Sequence, residues 1–145
     1  MTTQTVARDA IIDTIRDAWL ADALTLGIEL QYDNVKADPP GEDAAGNALP
    51  WARITVRHQQ SPQETIGGVG NRKHLTEGLV TVQVFTASGD GHTLPDQIAE
   101  ILKAAMRNVR VGDLWFFDVR VNEIGTDGPW FNQNVLGNFR YEERS

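Results

Sequence analysis

The sequence contains no cysteine among its 145 residues, and it is poor in the other side chains that carry most enzyme chemistry. The missing cysteine excludes disulfides, thiol nucleophiles and thiolate metal ligands, and it fits a reducing compartment. None of the serines Ser61, Ser88 and Ser145 lies in a Gly-x-Ser-x-Gly turn. The histidines form no His-x-x-x-His or His-Glu pattern. We therefore expect a protein that is not an enzyme and that has no catalytic residues, no cofactor and no metal.

One metal site is conceivable from the spacing of its ligands. Asp90, His92 and Asp96 lie close together in a turn and the start of a predicted helix. Turn residues beside a helix N-cap are much commoner than true metal motifs, so we favour the turn interpretation. His58 lies on the apolar side of a predicted strand. We interpret it as a partly buried, hydrogen-bonded side chain rather than a catalyst.

Long hydrophobic runs are also missing, since none approaches the roughly 20 residues of a membrane span. Residues 1–8 lack the apolar core of a signal peptide, so we expect a soluble protein made in the cytoplasm. The 20 acidic and 13 basic residues give a net charge of 20 − 13 = 7 negative. Tight nucleic-acid binding requires a basic stripe, whereas a negative surface lets DNA pass without sticking.

The first predicted helix, over residues 5–23, has an apolar face and an acidic face. Apolar side chains recur at helical spacing: Ile11, Ile15, Ala18 and Trp19, with Ile12 at the edge. Asp9, Asp13 and Asp17 follow one another at one-turn intervals on the other side, which mildly destabilises the helix. Such faces are usually only solvated, and we favour that interpretation. The alternative is a docking stripe for a basic element of another subunit.

The remaining pattern predicts an α+β protein with a single domain over residues 1–145. Alternating residues predict a short edge strand at 30–35 and longer strands at 51–60, 76–87, 115–124 and 129–142. A second helix is predicted over 93–108, a hairpin turn at 125–128, and a bulge at Gly137. This order indicates a mainly antiparallel sheet with two main helices packed on one face. Trp51 and Trp130 each follow a turn, and the sequence does not decide between core and interface for them.

Two flexible loops are predicted, at about 36–49 and 61–75, and the second is the more informative. Its glycines Gly67, Gly68 and Gly70 suggest a phosphate loop, but no Gly-Lys-Ser/Thr ending or following helix is present. The glycines are followed by the densest basic cluster in the chain, which consists of Arg72, Lys73 and His74. The loop is either a long hairpin connection with incidental charge or a segment that orders against an acidic partner surface.

Several segments together resemble a known protein family. They are Trp51–Val56, Ile66–Arg72, Glu77–Thr86 with the following Gly-Asp-Gly, and Trp130–Glu143. Their pattern resembles the tail terminator, or tail completion, proteins of long-tailed (siphovirus-type) bacteriophages. The resemblance extends from the first helix to the last strand, and its motifs are structural rather than catalytic. It implies a mixed sheet flanked by helices.

The resemblance also implies a function and partners. The family forms a hexameric ring on the end of the tail tube, stops tube polymerisation and provides the surface for head-tail joining. The partners would be other copies of the chain, the tail tube protein and head-tail connector proteins, with DNA passing through the lumen. The protein would be located in the virion, at the head-tail junction, after synthesis in the host bacterial cytoplasm. No membrane is implied.

A cyclic ring needs two different contact patches on each subunit. The basic cluster Arg72, Lys73 and His74 could form one patch, and the motion of the preceding glycines would keep the free subunit monomeric. The other patch would be the aspartates of the first helix or the acidic pair Glu142 and Glu143. The alternatives are a head-side neck or stopper protein, and a small α+β ligand-binding domain or enzyme with a concave pocket.

Overall fold

The computed structural model describes residues 2–42, 44, 46, 48–60, 68, 72–107 and 109–144. Its helices and strands, in chain order, are α1 (Gln4–Ala21), α2 (Ala23–Leu26), β1 (Glu29–Tyr32), β2 (Trp51–Gln60), β3 (Lys73–Ala87), α3 (Thr93–Arg107), β4 (Arg110–Val111), β5 (Leu114–Asp127) and β6 (Trp130–Arg144). The predicted element order is confirmed for the two long helices and the five main strands. No helix in this described part of the chain is long and apolar enough to cross a membrane.

The strands form one six-stranded sheet in the order β1-β2-β3-β6-β5-β4. The edge strand β1 runs parallel to β2, and every other neighbouring pair is antiparallel. The centre is the long pair β3–β6, which stays in register from Lys73 opposite Arg144 to Ala87 opposite Trp130. The fold is therefore α+β with a mixed, mainly antiparallel sheet, as predicted.

Both long helices pack on the same face of this sheet because each has one apolar side. In α1 the buried residues recur every fourth position, at Ala7, Ile11, Ile15 and Trp19. In α3 they are Pro95, Ile98, Ala99, Leu102 and Met106. These side chains join alternate residues of β2, β3 and β6 in one core. Burying a large aliphatic or aromatic side chain there contributes roughly 1.5–3 kcal/mol.

The corner after α1 is fixed by the side chain of Trp19. Its indole Nε1 donates a hydrogen bond to the carbonyl of Ile28 at 2.8 Å. The buried Thr25 hydroxyl donates to the carbonyl of Trp19 at 2.7 Å. Asp22 has an extended backbone and accepts from the amide of Leu24, so it ends α1 and caps α2. The predicted helix over 5–23 therefore corresponds to α1, which ends two residues earlier, and α2 is an additional short helix that was not predicted.

The predicted bulge lies in a different strand. β6 pairs with β3 without a shift, but in β5 both Asp118 and Val119 oppose Gly137. Asp118 takes the extra position with a positive φ of 52°. A side chain at Gly137 would approach the sulfur of Met106 within 2.9 Å, so its glycine allows α3 to pack closely.

Two other boundaries differ from the prediction. The hairpin turn lies at Gly128-Pro129, because β5 continues through residues 125–127 as a strand. β1 is shorter than predicted, because a turn begins at Asp33 and Asn34 has a φ of 60°.

Candidate interaction surfaces

The basic cluster occupies a strand end rather than a loop. Gly67 and Gly70 lie outside the described residues, and Gly68 has open space around its Cα. Arg72 directly precedes β3, whereas Lys73 and His74 are its first two residues. The predicted loop over 61–75 was therefore too long at its end, because pairing with β6 extends the strand by three residues.

The basic cluster and the acidic pair of β6 are neighbours within one subunit. His74 lies opposite Glu143 in the sheet, and the ammonium of Lys73 is 2.8 Å from a carboxylate oxygen of Glu142. Both members of this ion pair are partly exposed, so it contributes only about 0–1 kcal/mol. The two groups form one mixed-charge strand end, which includes Arg72.

The aspartates of α1 form a continuous surface with two apolar side chains. Asp9, Asp13 and Asp17 are exposed on the side of α1 opposite its buried face. Val6 and Leu20 lie on the same side, one turn beyond each end of the aspartates, and are 52% and 53% exposed. We call these five residues the acidic stripe. Within it, Asp13 accepts a 2.5 Å hydrogen bond from Arg16, which offsets part of the repulsion.

The other large surface is the face of the sheet that the long helices leave uncovered, which we call the open face. It consists of alternate residues of four strands, which lie in transverse rows. Its three central rows are Arg53-Gln83-Asn134-Asn122, Thr55-Thr81-Leu136-Arg120 and Arg57-Leu79-Asn138-Phe117.

One end of the open face is aromatic. Trp51 stacks on Phe85 with ring centroids 4.3 Å apart, and Trp130 meets both rings edge-on at 6.2 and 6.5 Å. Trp51 is only 6% exposed as a result. The structure thus decides what the sequence left open, since Trp51 is the buried member and Trp130 is the half-buried rim of the same cluster.

The middle of the open face carries arginines. Arg53 donates two hydrogen bonds to the side-chain oxygen of Gln83, at 3.1 and 2.6 Å, so its partner there is neutral. Arg57 is 2.5 Å from Asp33 and holds the pKa of that carboxyl below its usual value. Arg120 donates to the amide oxygen of Asn138 at 2.8 Å and pairs with Asp118 at 3.3 Å.

A second group of cations lies farther along the same face. Arg140 is held between the rings of Trp115 and Phe117, at 5.8 and 5.0 Å, and pairs with Glu77. Arg110 covers Trp115 at 5.1 Å. These cation–π contacts place both guanidinium groups over aromatic rings. The sequence pattern gave no signal for them, because they depend on the register of β4, β5 and β6.

His58 makes packing contacts on the helix side of the sheet. Its ring meets Phe139 and Tyr141 edge-on at 5.3 and 5.9 Å, and its Nδ1 lies 3.4 Å from the guanidinium of Arg8. Burial, and secondarily the charge of Arg8, lowers the pKa of His58. Burial also raises the pKa of Tyr141. This geometry agrees with a partly buried structural histidine.

Two modest concavities lie among the described residues. A cleft of about 50 Å³ lies between α1 and β2 and includes Arg8, Ile12 and Tyr32. A shallow depression of about 310 Å³ lies beside His92, whose ring meets the edge of Phe131 at 4.9 Å. Within the described ranges, no three His, Asp or Glu side chains come together as metal ligands.

Known proteins share this fold without close sequence similarity. No protein-family model matches the sequence, and no curated protein matches it. One solved protein of no stated function superposes with a TM-score of 0.64 at 18% identity, covering 97% of this chain and 96% of its own. A chain of the "Virion of native gene transfer agent (GTA) particle" gives a TM-score of 0.50 at 16% identity, covering 94% of this chain and 98% of its own. The fold is therefore shared with a virion component. At these identities the similarity establishes the fold alone.

Proposed function

We propose that this chain is a virion assembly protein that caps the end of a phage-type tail tube as a ring. It stops tube polymerisation and provides the surface to which the head is joined. The observation that carries the proposal is the fold shared, over nearly all of both chains, with a chain of a gene transfer agent virion. Three of the four segments that resemble tail terminator proteins lie on the neighbouring strands β2, β3 and β6 of that fold.

The distribution of exposed surfaces supports a ring. A subunit of a cyclic ring needs two different patches, since each copy contacts one neighbour on each side. The acidic stripe on α1 and the open face of the sheet are different surfaces on opposite sides of the subunit. Shallow concavities suit a structural role better than a small-molecule site, which usually surrounds most of its ligand with a mostly apolar lining.

The remaining contacts follow from the charges. The net charge of −7 favours a lumen along which DNA slides without binding. The mixed-charge strand end of Arg72, Lys73, His74, Glu142 and Glu143 is assigned to the tail tube protein or a neighbouring subunit. The adjacent glycines Gly67, Gly68 and Gly70 belong to the same contact, and connector proteins bind the opposite side of the ring. The ring is a hexamer that assembles on the tube end, so the protein is located at the head-tail junction.

Deletion of the gene from the particle that encodes it tests this function. Electron microscopy of the resulting particles should show overlong tails without heads, with normal tails restored by supplying the protein from a plasmid. Tails of normal length beside heads that have lost their DNA would refute tail termination. That second outcome would instead identify a head-side neck protein.

A further inference from the structure

We propose that the acidic stripe of one subunit docks on the open face of the next, and that repetition of this contact closes the ring. The inference rests on the proposed function, because it assigns the subunit contact of the ring proposed above. It differs from a contact through the basic cluster, in which Lys73 is already paired with Glu142 in its own subunit.

The acidic stripe has the composition of a docking element. Its three aspartates lie between two exposed apolar side chains, Val6 and Leu20, and the short helix α2 adds the exposed Leu24 and Leu26 beyond one end. A single exposed leucine is common on protein surfaces, but here Leu20, Leu24 and Leu26 are all exposed within seven residues at the C-terminal end of α1 and in α2. The charged centre of the acidic stripe therefore has a larger apolar group at its Leu20 end than at its Val6 end.

The open face shows the complementary arrangement. Arg53, Arg57 and Arg120 border its three central rows on both sides. The acids that pair with them are Asp33 and Asp118, while Arg53 is bonded to the neutral Gln83. This excess of positive charge lies beside the aromatic cluster of Trp51, Phe85 and Trp130, which offers a surface for an apolar side chain.

The dimensions of the two surfaces agree. Leu20 lies about 5 Å from Asp17 and about 10 Å from Asp13 along the axis of α1, at 1.5 Å per residue. On the sheet, successive rows on one face are about 7 Å apart. The row that contains Arg53 is next to the row of Trp51 and lies about 7 Å from it. The row that contains Arg120 is one further along, at about 13 Å. With Leu20 on the aromatic cluster and α1 running along the strands, Asp17 therefore lies near the level of the Arg53 row and Asp13 near the level of the Arg120 row.

The charges also select the symmetry of the contact. Two acidic stripes facing each other repel, and so do two arginine-bearing faces. Only the contact between unlike surfaces is attractive, and it is heterologous, as a closed ring requires. In a chain with a net charge of −7, this local complementarity overcomes the general repulsion between copies.

The absence of cysteine makes the contact directly testable by cross-linking. Arg16 lies beside the acidic stripe, and Thr55 lies in a central row of the open face. The variant Arg16→Cys/Thr55→Cys, treated with a short bis-maleimide in purified particles or at high protein concentration, should give a ladder that ends in a closed ring. The matched control is Ala104→Cys/Thr55→Cys, which places the first cysteine on the exposed side of α3 instead.

Each outcome decides the proposal. A ladder with at least about tenfold more product than the control supports it, and Thr81→Cys in place of Thr55→Cys should give the same result. Dimers from Arg16→Cys alone or Thr55→Cys alone would show a contact between like surfaces and would overturn it. Cross-links only to another virion protein, or none above the control, would also overturn it.

A charge exchange gives a second readout. Asp17→Arg should reduce the cross-linking yield about tenfold, which corresponds to 1.4 kcal/mol of contact energy, and Arg53→Asp in the neighbouring copy should restore it. Glu100→Arg makes the same change of charge on α3 and should leave the yield unchanged. The tail-length phenotype of the deletion does not depend on this contact. Overlong tails without these cross-links would leave tail termination standing and refute only the assigned interface.

Discussion

Substitution of Gly78 by alanine should destabilise the fold strongly, because three strands approach each other at this position. Gly78 lies in the middle of β3, opposite His58 in β2 and Phe139 in β6. The rings of His58 and Phe139 meet above it, 5.3 Å apart. A methyl group at Gly78 would overlap both the carbonyl oxygen of Arg57 and the ring of Phe139.

The expected loss of stability follows from the groups that the added methyl would have to displace. Overpacking a core position by one methyl costs typically 1–3 kcal/mol, and here one obstacle is a backbone carbonyl that cannot rotate away. We expect Gly78→Ala to cost about 3 kcal/mol. At about 3 °C for each kcal/mol in a chain of this size, the melting temperature should fall by roughly 10 °C.

Urea unfolding followed by tryptophan fluorescence measures this change. The control is Gly41→Ala, because a Cβ added at Gly41 meets nothing within 4 Å. Alanine lowers the entropy of the unfolded chain, so this variant should stabilise the folded protein by up to about 1 kcal/mol. Phe139→Leu should be less harmful in the Gly78→Ala background than alone, because the two changes share one contact. A Gly78→Ala variant within about 0.5 kcal/mol of the wild type would refute the packing argument.

Three further predictions concern other single positions. Burial and Arg8 lower the pKa of His58 in the folded state, so the free energy of unfolding should fall as the pH drops below the ordinary histidine pKa of about 6.5. His58→Gln should remove this part of the pH dependence in urea titrations. Trp19→Phe should cost about 1–3 kcal/mol in thermal unfolding, since it leaves the carbonyl of Ile28 without its 2.8 Å donor; an unchanged melting temperature would contradict this. Asp118→Gly should stabilise by up to about 1 kcal/mol, because residue 118 has a φ of 52°, and a loss of stability would show that its side chain matters more than its backbone.

The fold was largely predictable because its main elements carry strong local patterns. The apolar spacing of α1 and α3 and the alternation from Val80 to Val84 each reflect one buried face. The short helix α2 was missed because its start depends on a single capping side chain, Asp22. The parallel pairing of β1 was not predicted, since four alternating residues fit either direction.

The candidate surfaces were harder to predict, because they depend on contacts between distant parts of the chain. Lys73 and His74 have no strand-like pattern of their own and join β3 only through pairing with the end of β6. The arginines of the three central rows come from β2 and β5, and β3 and β6 lie between these two strands in the sheet. The three aspartates of the acidic stripe, by contrast, were predicted from helical spacing alone, because they lie on a single helix.

The central claim is that this protein binds the end of a tail tube and stops its growth. Purified protein carrying a gold label should be mixed with tail tubes of the particle that encodes it, followed by addition of more tube protein. Electron microscopy should then show label at one end of each tube and no further elongation there. Label along the tube walls, or unlabelled tubes that continue to grow at both ends, would contradict the account.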